Sequence, residues 1–565
     1  MPAARFLTGL LLAIALIGCG SVPRDDAAAH APDSAAIETF TAHQRLGEAH
    51  RWEQVALGAD GTRAEIDGWL NCAAAAYPAL RLEPPAGTQA AQLATACTWR
   101  FLQLALSSQS RRWSAGPTRV QSARFEIELR GLSPNLVGRM QLTRAHDVSM
   151  DVYGGTRYTQ PGFGVPLVIR TPRCEDAPPC ELLPPEGIYR GATAWIEDSG
   201  DAGDAGDRTP HLVIANPFAA GSVTVGDQSY TLAADTSAPY ALGAGTSALR
   251  RLSIYGLVGG KEIDRRAGLY LLDDYDPRKR PIVMIHGLAA NPLNWARLSN
   301  AILGDADLRS RYQVWHIVYR TDAPVMIVRA RVQGYLDHAW KLLDPQGDDP
   351  ARIGIVLVGH SMGGVVARML CVEPGEALWN AAFTVPPHDL PVKAADAARI
   401  DGMFHFHPYP GVTRSIFLAA PHHGSPAADA WWARMIRTFV GDRAEEAQVL
   451  WRLANEHPEV LKEDVRETYK QAQLNSIYML RVAQPLRLAE QSMLPVAGIT
   501  YHTIAASLPG EDPPGDGFVP IDSAMLPGAA STLIVEGGHK LYENDAAIAE
   551  VLRILREDRA PAGAK

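Results

Sequence analysis

The sequence has no surplus of positive charge, no long apolar run and little cysteine, and each shortage removes a class of function. Lys and Arg total 53 against 62 Asp and Glu, a formal net charge of -9, so the basic face that nucleic-acid binding needs is missing. The Arg-rich stretches are short and interrupted by acids, as on a solvated surface. The apolar run from Leu10 to Ile17 is too short to span a bilayer as a permanent helix. Six cysteines form no Cys/His cluster at zinc spacing, so a metal site built on them is not expected. No convincing repeat is present. What remains is ordinary globular composition, 47% hydrophobic and 20% charged over 565 residues, too long for one core and so expected to form two or three domains.

The N-terminus points to a compartment. Arg5 precedes the apolar run, which suits a signal-peptide core over residues 1–18. The run ends in Leu16-Ile17-Gly18-Cys19, which resembles the lipobox of bacterial lipoproteins. That resemblance implies acylation of Cys19 and a membrane anchor. Stable anchoring needs more than one acyl chain, and lipoproteins of this kind carry several. Gly20 follows in place of Asp, so an inner-membrane retention signal is lacking and a bacterial outer-membrane location is expected. Residues 19–37 are Ala-, Asp- and Pro-rich and read as a flexible tether. Export permits disulfides. Cys174 and Cys180 bracket a short loop and are expected to pair; Cys72 and Cys97 could tie two helices together; Cys371, in an apolar helix, is expected to be a buried thiol.

Three further regions follow. Residues 38–117 read as helical: Ile66, Trp69, Leu70 and Ala73 fall on one face, and Leu93, Ala96, Cys97, Phe101 and Leu104 form a second stripe. Residues 118–272 read as a β-rich accessory domain, with Phe125, Ile127 and Leu129 alternating with charged residues and a hairpin around Gly226-Asp227. The acidic run Asp198 to Asp207 lacks the ligand order of a calcium loop and reads as exposed. Residues 273–560 alternate strand, loop and helix, the rhythm of a doubly wound, mostly parallel α/β sheet. Strands are expected at Pro281 to Ile285, Tyr312 to Tyr319, Ile353 to Val358, Ser415 to Ala419, Thr500 to Ala506 and Leu533 to Val535.

The chemistry concentrates in this last region. Gly359-His360-Ser361-Met362-Gly363 sits between the apolar strand ending at Val358 and a helix-like run from Gly364. That context makes it a candidate nucleophile elbow, with small residues where strand and helix pass closely. His286-Gly287-Leu288 follows an early strand. A tetrahedral oxyanion needs backbone donors already aimed at it; Met362 and Leu288 are the candidates, with His286 shaping the loop. A serine hydroxyl needs a base, and His539, after Gly537-Gly538 near the chain end, is the expected one. His422, His423 and His502 read as loop or strand residues. The orienting acid is expected to be Asp516, flanked by Gly515 and Gly517, with Asp522 and Asp512 as alternatives.

Together with Ala420-Pro421-His422-His423-Gly424-Ser425 and Asp516-Gly517-Phe518-Val519-Pro520, these motifs resemble bacterial lipases and esterases of the α/β-hydrolase superfamily, closest to the triacylglycerol lipase and PGAP-like branch. The resemblance implies an acyl-serine mechanism on lipid or other hydrophobic esters, without metal or organic cofactor. Thioesters, phospholipid esters and acyl transfer use the same groups, and a non-catalytic envelope binding protein on the same fold is the alternative of another class. Two insertions, about 371–413 and 427–491, are expected to cap the site, the second carrying Trp431, Trp432, Met435, Ile436 and Phe439. Protein partners are not indicated.

Overall fold

The structure, a computed structural model, describes residues 34–107, 112–132, 140–175, 177–198, 209–249, 261–321, 323–424, 445–470 and 485–558. Cys19, the tether to residue 33, most of the acidic run and Trp431 to Phe439 lie outside these residues. Among the described residues no helix is long and apolar enough to cross a membrane.

The first half is one body. Helices Ser34–Gly58, Arg63–Ala76 and Ala86–Ala105 lead into a six-stranded sheet. Its spatial order is Gly116–Val120, Ala123–Arg130, His211–Ala215, Ile188–Glu197, Val165–Thr171 and Gln141–Arg144. Helical residues 38–117 and the β-rich residues beyond share a single hydrophobic core, so they do not form separate units: Phe101 meets Phe125 edge-on at 5.2 Å, and Cys72, Cys97 and Trp195 belong to the same cluster. The face of the third helix is offset from the expected stripe. Ala96 is exposed and Leu104 half-buried, while Ala94, Leu102 and Ala105 are buried. The hairpin expected around Gly226-Asp227 forms, Ser222–Val225 against Gln228–Thr231.

The second half is a seven-stranded sheet ordered Gly268–Leu271, Tyr312–Val318, Arg280–Ile285, Ile355–His360, Val412–Leu418, Thr500–Ser507 and Ser531–Glu536. All neighbours are parallel except the first pair. This is the doubly wound, mostly parallel sheet expected. Its edge strand Gly268–Leu271 falls before residue 273, where the α/β region was expected to begin. The strand was missed because four residues of an antiparallel edge carry too little pattern to stand out. The strand expected at Ile353 starts at Ile355, since Gly354 takes a left-handed φ of 92° and Ile353 is exposed.

Along Ile282 to Ile285 alternate side chains enter opposite layers, as the period of a strand demands. Val283 and Ile285 join helices Val325–Leu343 and Met362–Met369; Ile282 and Met284 join Ala296–Gly304 and Asp545–Glu557. A buried clasp closes the end of the sheet where strands begin. Asp558, after the last helix, accepts from Arg280 at 3.0 Å, the Tyr312 hydroxyl at 2.7 Å and Arg414 at 3.1 Å. Two insertions beyond the opposite end meet through Phe383 and Leu461, with Lys462 N donating to Ala382 O at 2.9 Å.

Both expected disulfides form, Cys72–Cys97 and Cys174–Cys180, and Cys371 is a buried thiol. The first joins the second and third helices across a sequence separation of 25. Replacing Cys72 and Cys97 together by Ala is expected to cost about 3 kcal/mol, because that loop is no longer closed in the unfolded chain. Urea unfolding followed by tryptophan fluorescence measures the loss.

Candidate active site

The strand Ile355–His360 delivers Ser361 into a turn that L-residues avoid. Its φ is 55° and ψ -126°, and helix Met362–Met369 starts immediately after it. Such backbone costs about 1–3 kcal/mol and persists only where the surroundings enforce it. Three glycines do so. A Cβ on Gly359 would stand 2.6 Å from Gly364 Cα; one on Gly363 would collide with the carbonyl oxygens of Ile285 and His286; one on Gly364 would collide with Ala420. The strand, the helix and the loop after Ile285 are therefore in backbone contact around a serine that is 6% exposed.

His539 arrives from the last strand through Gly537, whose φ of 151° lies in the region that favours glycine. Its Nε2 lies 2.9 Å from Ser361 Oγ and its Nδ1 2.7 Å from Asp516 Oδ2. Asp516 is 1% exposed, and its other oxygen accepts the backbone N–H groups of Phe518 at 2.9 Å and Val519 at 2.7 Å. Those bonds fix the orientation of the carboxyl group. The carboxylate in turn keeps the proton of His539 on Nδ1, leaving Nε2 free to accept from the serine. Asp512 and Asp522 are exposed, and the carboxylate bound to His539 is that of Asp516.

The oxyanion candidates flank the hydroxyl. Met362 follows it in the chain. On the other side, a Cβ at Gly287 would lie 2.9 Å from Ser361 Cβ, so Leu288 belongs to a loop resting on the nucleophile. That loop is held by Ala289 N donating to Thr321 Oγ1 at 3.3 Å, and by the Tyr319 hydroxyl donating to His286 O. The His286 ring stacks on Tyr319 at 4.3 Å, in keeping with the loop-shaping role expected of it. Ser361 also sits at a helix N-terminus, where the peptide dipoles favour negative charge.

One residue went unremarked in the sequence. His360 is buried, and its Nε2 lies 2.8 Å from the carbonyl oxygen of His539. Since a carbonyl only accepts, His360 donates and is neutral with Nδ1 bare. Burial, aided by the His539 ring 4.8 Å away, holds its pKa at about 3. Within the motif it is merely the variable residue before the serine, so only the fold reveals that it tethers His539. His422 and His423 brace a loop instead: their backbone N–H groups donate to Ser523 O and Ser523 Oγ at 2.8 and 3.2 Å. His502 bonds Ser531 at 2.8 Å within the sheet.

The one grouping of metal-capable side chains among the described residues is Asp344, Asp348 and Asp349. It precedes the strand Ile355–His360, away from Ser361, and Asp344 already accepts the backbone N–H groups of Gly347, Asp348 and Asp349 and pairs with Arg352.

Residues 282–552 match the model of the alpha/beta hydrolase family. No curated protein matches the chain. Similar solved structures include the mature lipase BlEst2 of Bacillus licheniformis, at 19% identity over 51% of this chain and 97% of that one, with a TM-score of 0.28. The esterase RhEst1 from Rhodococcus sp. ECU1013 aligns at 16% identity over 51% and 94%, TM-score 0.26. A lipase-esterase related protein from Clostridium acetobutylicum ATCC 824 aligns at 14% over 51% and 100%, also at 0.26.

Four buried histidines make stability depend on acid. Desolvation lowers His286 and His502 to about 4 and His316 and His360 to about 3, against about 6.5 in the unfolded chain. Above pH 6.5 both states are neutral there and stability is level. Below it the unfolded state takes up protons the folded state refuses, so stability falls by up to about 1.4 kcal/mol per pH unit per histidine until the folded values are reached. Urea midpoints at pH 7 and pH 5 are expected to show this fall, and His316→Gln to reduce it.

Proposed function

On the premise that residues 282–552 are a domain of the alpha/beta hydrolase family, we propose that the chain is a serine carboxylester hydrolase of the lipase and esterase kind, acting on hydrophobic esters at a bacterial cell envelope. The observation that carries the reading is the unbroken relay Ser361, His539, Asp516, at 2.9 and 2.7 Å.

Ser361 Oγ attacks the ester carbonyl while His539 Nε2 takes its proton. The imidazolium so formed is stabilised by Asp516, which keeps its own charge. The oxygen of the tetrahedral intermediate is held by the N–H groups of Met362 and Leu288, each worth about 3 kcal/mol in such a site. His539 then returns the proton to the leaving alcohol, and an acyl group remains on Ser361. Water, deprotonated by the same imidazole, releases the acid. Every step uses groups of this chain, with no cofactor. His360 keeps His539 over the serine as it changes charge. Because His360 stays neutral, it adds no positive charge to oppose formation of the imidazolium.

The envelope setting rests on the sequence of the first 20 residues, with Cys19 as the acylated residue. A tether of some length then lets the catalytic domain reach esters held in a membrane or released from it. The preference for hydrophobic esters rests on the same setting and on the insertions beyond the strand ends, where an ester's acyl chain would lie.

Ser361→Ala is expected to lower kcat/KM for p-nitrophenyl esters by about 10⁶, and Asp516→Asn by about 10⁴. Equal rates for wild type and Ser361→Ala would refute the reading. A higher kcat/KM on decanoate than on acetate esters is expected of a lipase. In cells, labelled palmitate should enter the wild-type protein and not Cys19→Ser.

A further inference from the structure

The junction between the two halves holds a cavity that the Ser361 site does not use. Its volume is about 110 Å³, and neither Ser361, Asp516 nor His539 lines it. It lies between the end of the first sheet, helix Ala238–Thr246 and the edge strand Gly268–Leu271. Ile188, Ala244, Leu271 and Leu293 give it a mostly apolar wall.

Among the polar side chains of that wall, two carry a buried atom without a hydrogen-bond partner among the described residues. Arg190 is 7% exposed. Its Nε donates to Asp274 at 2.8 Å and its Nη2 is bonded to the same carboxylate, but Nη1 is buried with no hydrogen-bond partner among the described residues. The hydroxyl of Tyr240 is buried in the same condition, its ring set edge-on to His316 at 5.9 Å. Burying a donor unsatisfied costs about 1–3 kcal/mol, and two of them in one cavity call for an acceptor.

We infer that this cavity is a second binding site, for an acyl group whose carbonyl or carboxylate oxygen meets Arg190 and Tyr240 while its chain lies on the apolar wall. Asp274 balances Arg190, and Glu186 pairs with Arg266 at 2.6 Å. The site is also joined to the catalytic loop. Pro292 and Leu293 in its wall belong to the turn Pro292–Trp295 just beyond Leu288. Asn291 fixes that turn, accepting from Leu293 N at 2.8 Å and donating to Leu249 O at 3.0 Å. Trp295 packs edge-on to His360 at 6.4 Å. An ester awaiting cleavage and the free acid released by it share the chemistry this cavity would take.

Calorimetric titration of the full chain with octanoate and with methyl octanoate tests the inference, in a Ser361→Ala background so that the ester persists. Binding of at least one of them is expected. Arg190→Gln should weaken it about tenfold, as loss of a charge-assisted bond implies. Tyr240→Phe, which keeps the ring and its packing, should weaken it about fivefold. Ala244→Phe, which fills the cavity, should abolish it. Tighter binding of octanoate would identify a product site, and tighter binding of methyl octanoate a substrate site. Binding of neither, or binding indifferent to both Tyr240→Phe and Ala244→Phe, would overturn the inference. The p-nitrophenyl ester assay with Ser361 intact is read separately, so failure of the catalytic reading and failure of this one give different results.

Discussion

The approach of three backbones at Gly359, Gly363 and Gly364 is the constraint on which the rest of this molecule turns. Without a side chain at those positions, the strand Ile355–His360, the helix after it and the loop after Ile285 come together. That proximity forces Ser361 into its left-handed turn and sets Gly287 against it. The positions of Ser361 and of both oxyanion candidates are thus consequences of one packing event. The strain at Ser361 is tolerated because the buried layers on either side of the sheet oppose any relaxation.

The relay is built differently, from polar groups rather than tight packing. Asp516 is fixed by two backbone N–H groups, His539 by Asp516 on one ring nitrogen and by His360 at its carbonyl oxygen. A buried histidine that remains neutral across physiological pH is well suited to that duty. It supplies His539 with a hydrogen bond of constant character.

Much of this was legible because the signals were local. The glycines around Ser361, the apolar run before it and the glycines beside Asp516 and His539 are all properties of short segments, and the central parallel strands Arg280–Ile285 and Ile355–His360 are buried along their whole length. What escaped was long-range or weakly patterned. The edge strand Gly268–Leu271 has four residues and alternating burial. The shared core of the helical and β-rich segments depends on the meeting of Phe101 and Phe125, which nothing in the local pattern of either announces. The offset of the third helix arose because alanines fit either side of a stripe, so Ala94 and Ala105 turn inward while Ala96 turns out. His360 was hidden because its partner is a main-chain atom 179 residues away.

The clasp at Asp558 gives the order of synthesis a consequence. Arg280, Tyr312 and Arg414 open three strands made long before the carboxylate that unites them. Until the last helix emerges, two guanidinium groups lack the anion that lets them be buried. His539, whose Nε2 lies beside Ser361 Oγ, also comes late. A nascent chain that lacks both residues can therefore neither lock its sheet nor set the imidazole beside the serine.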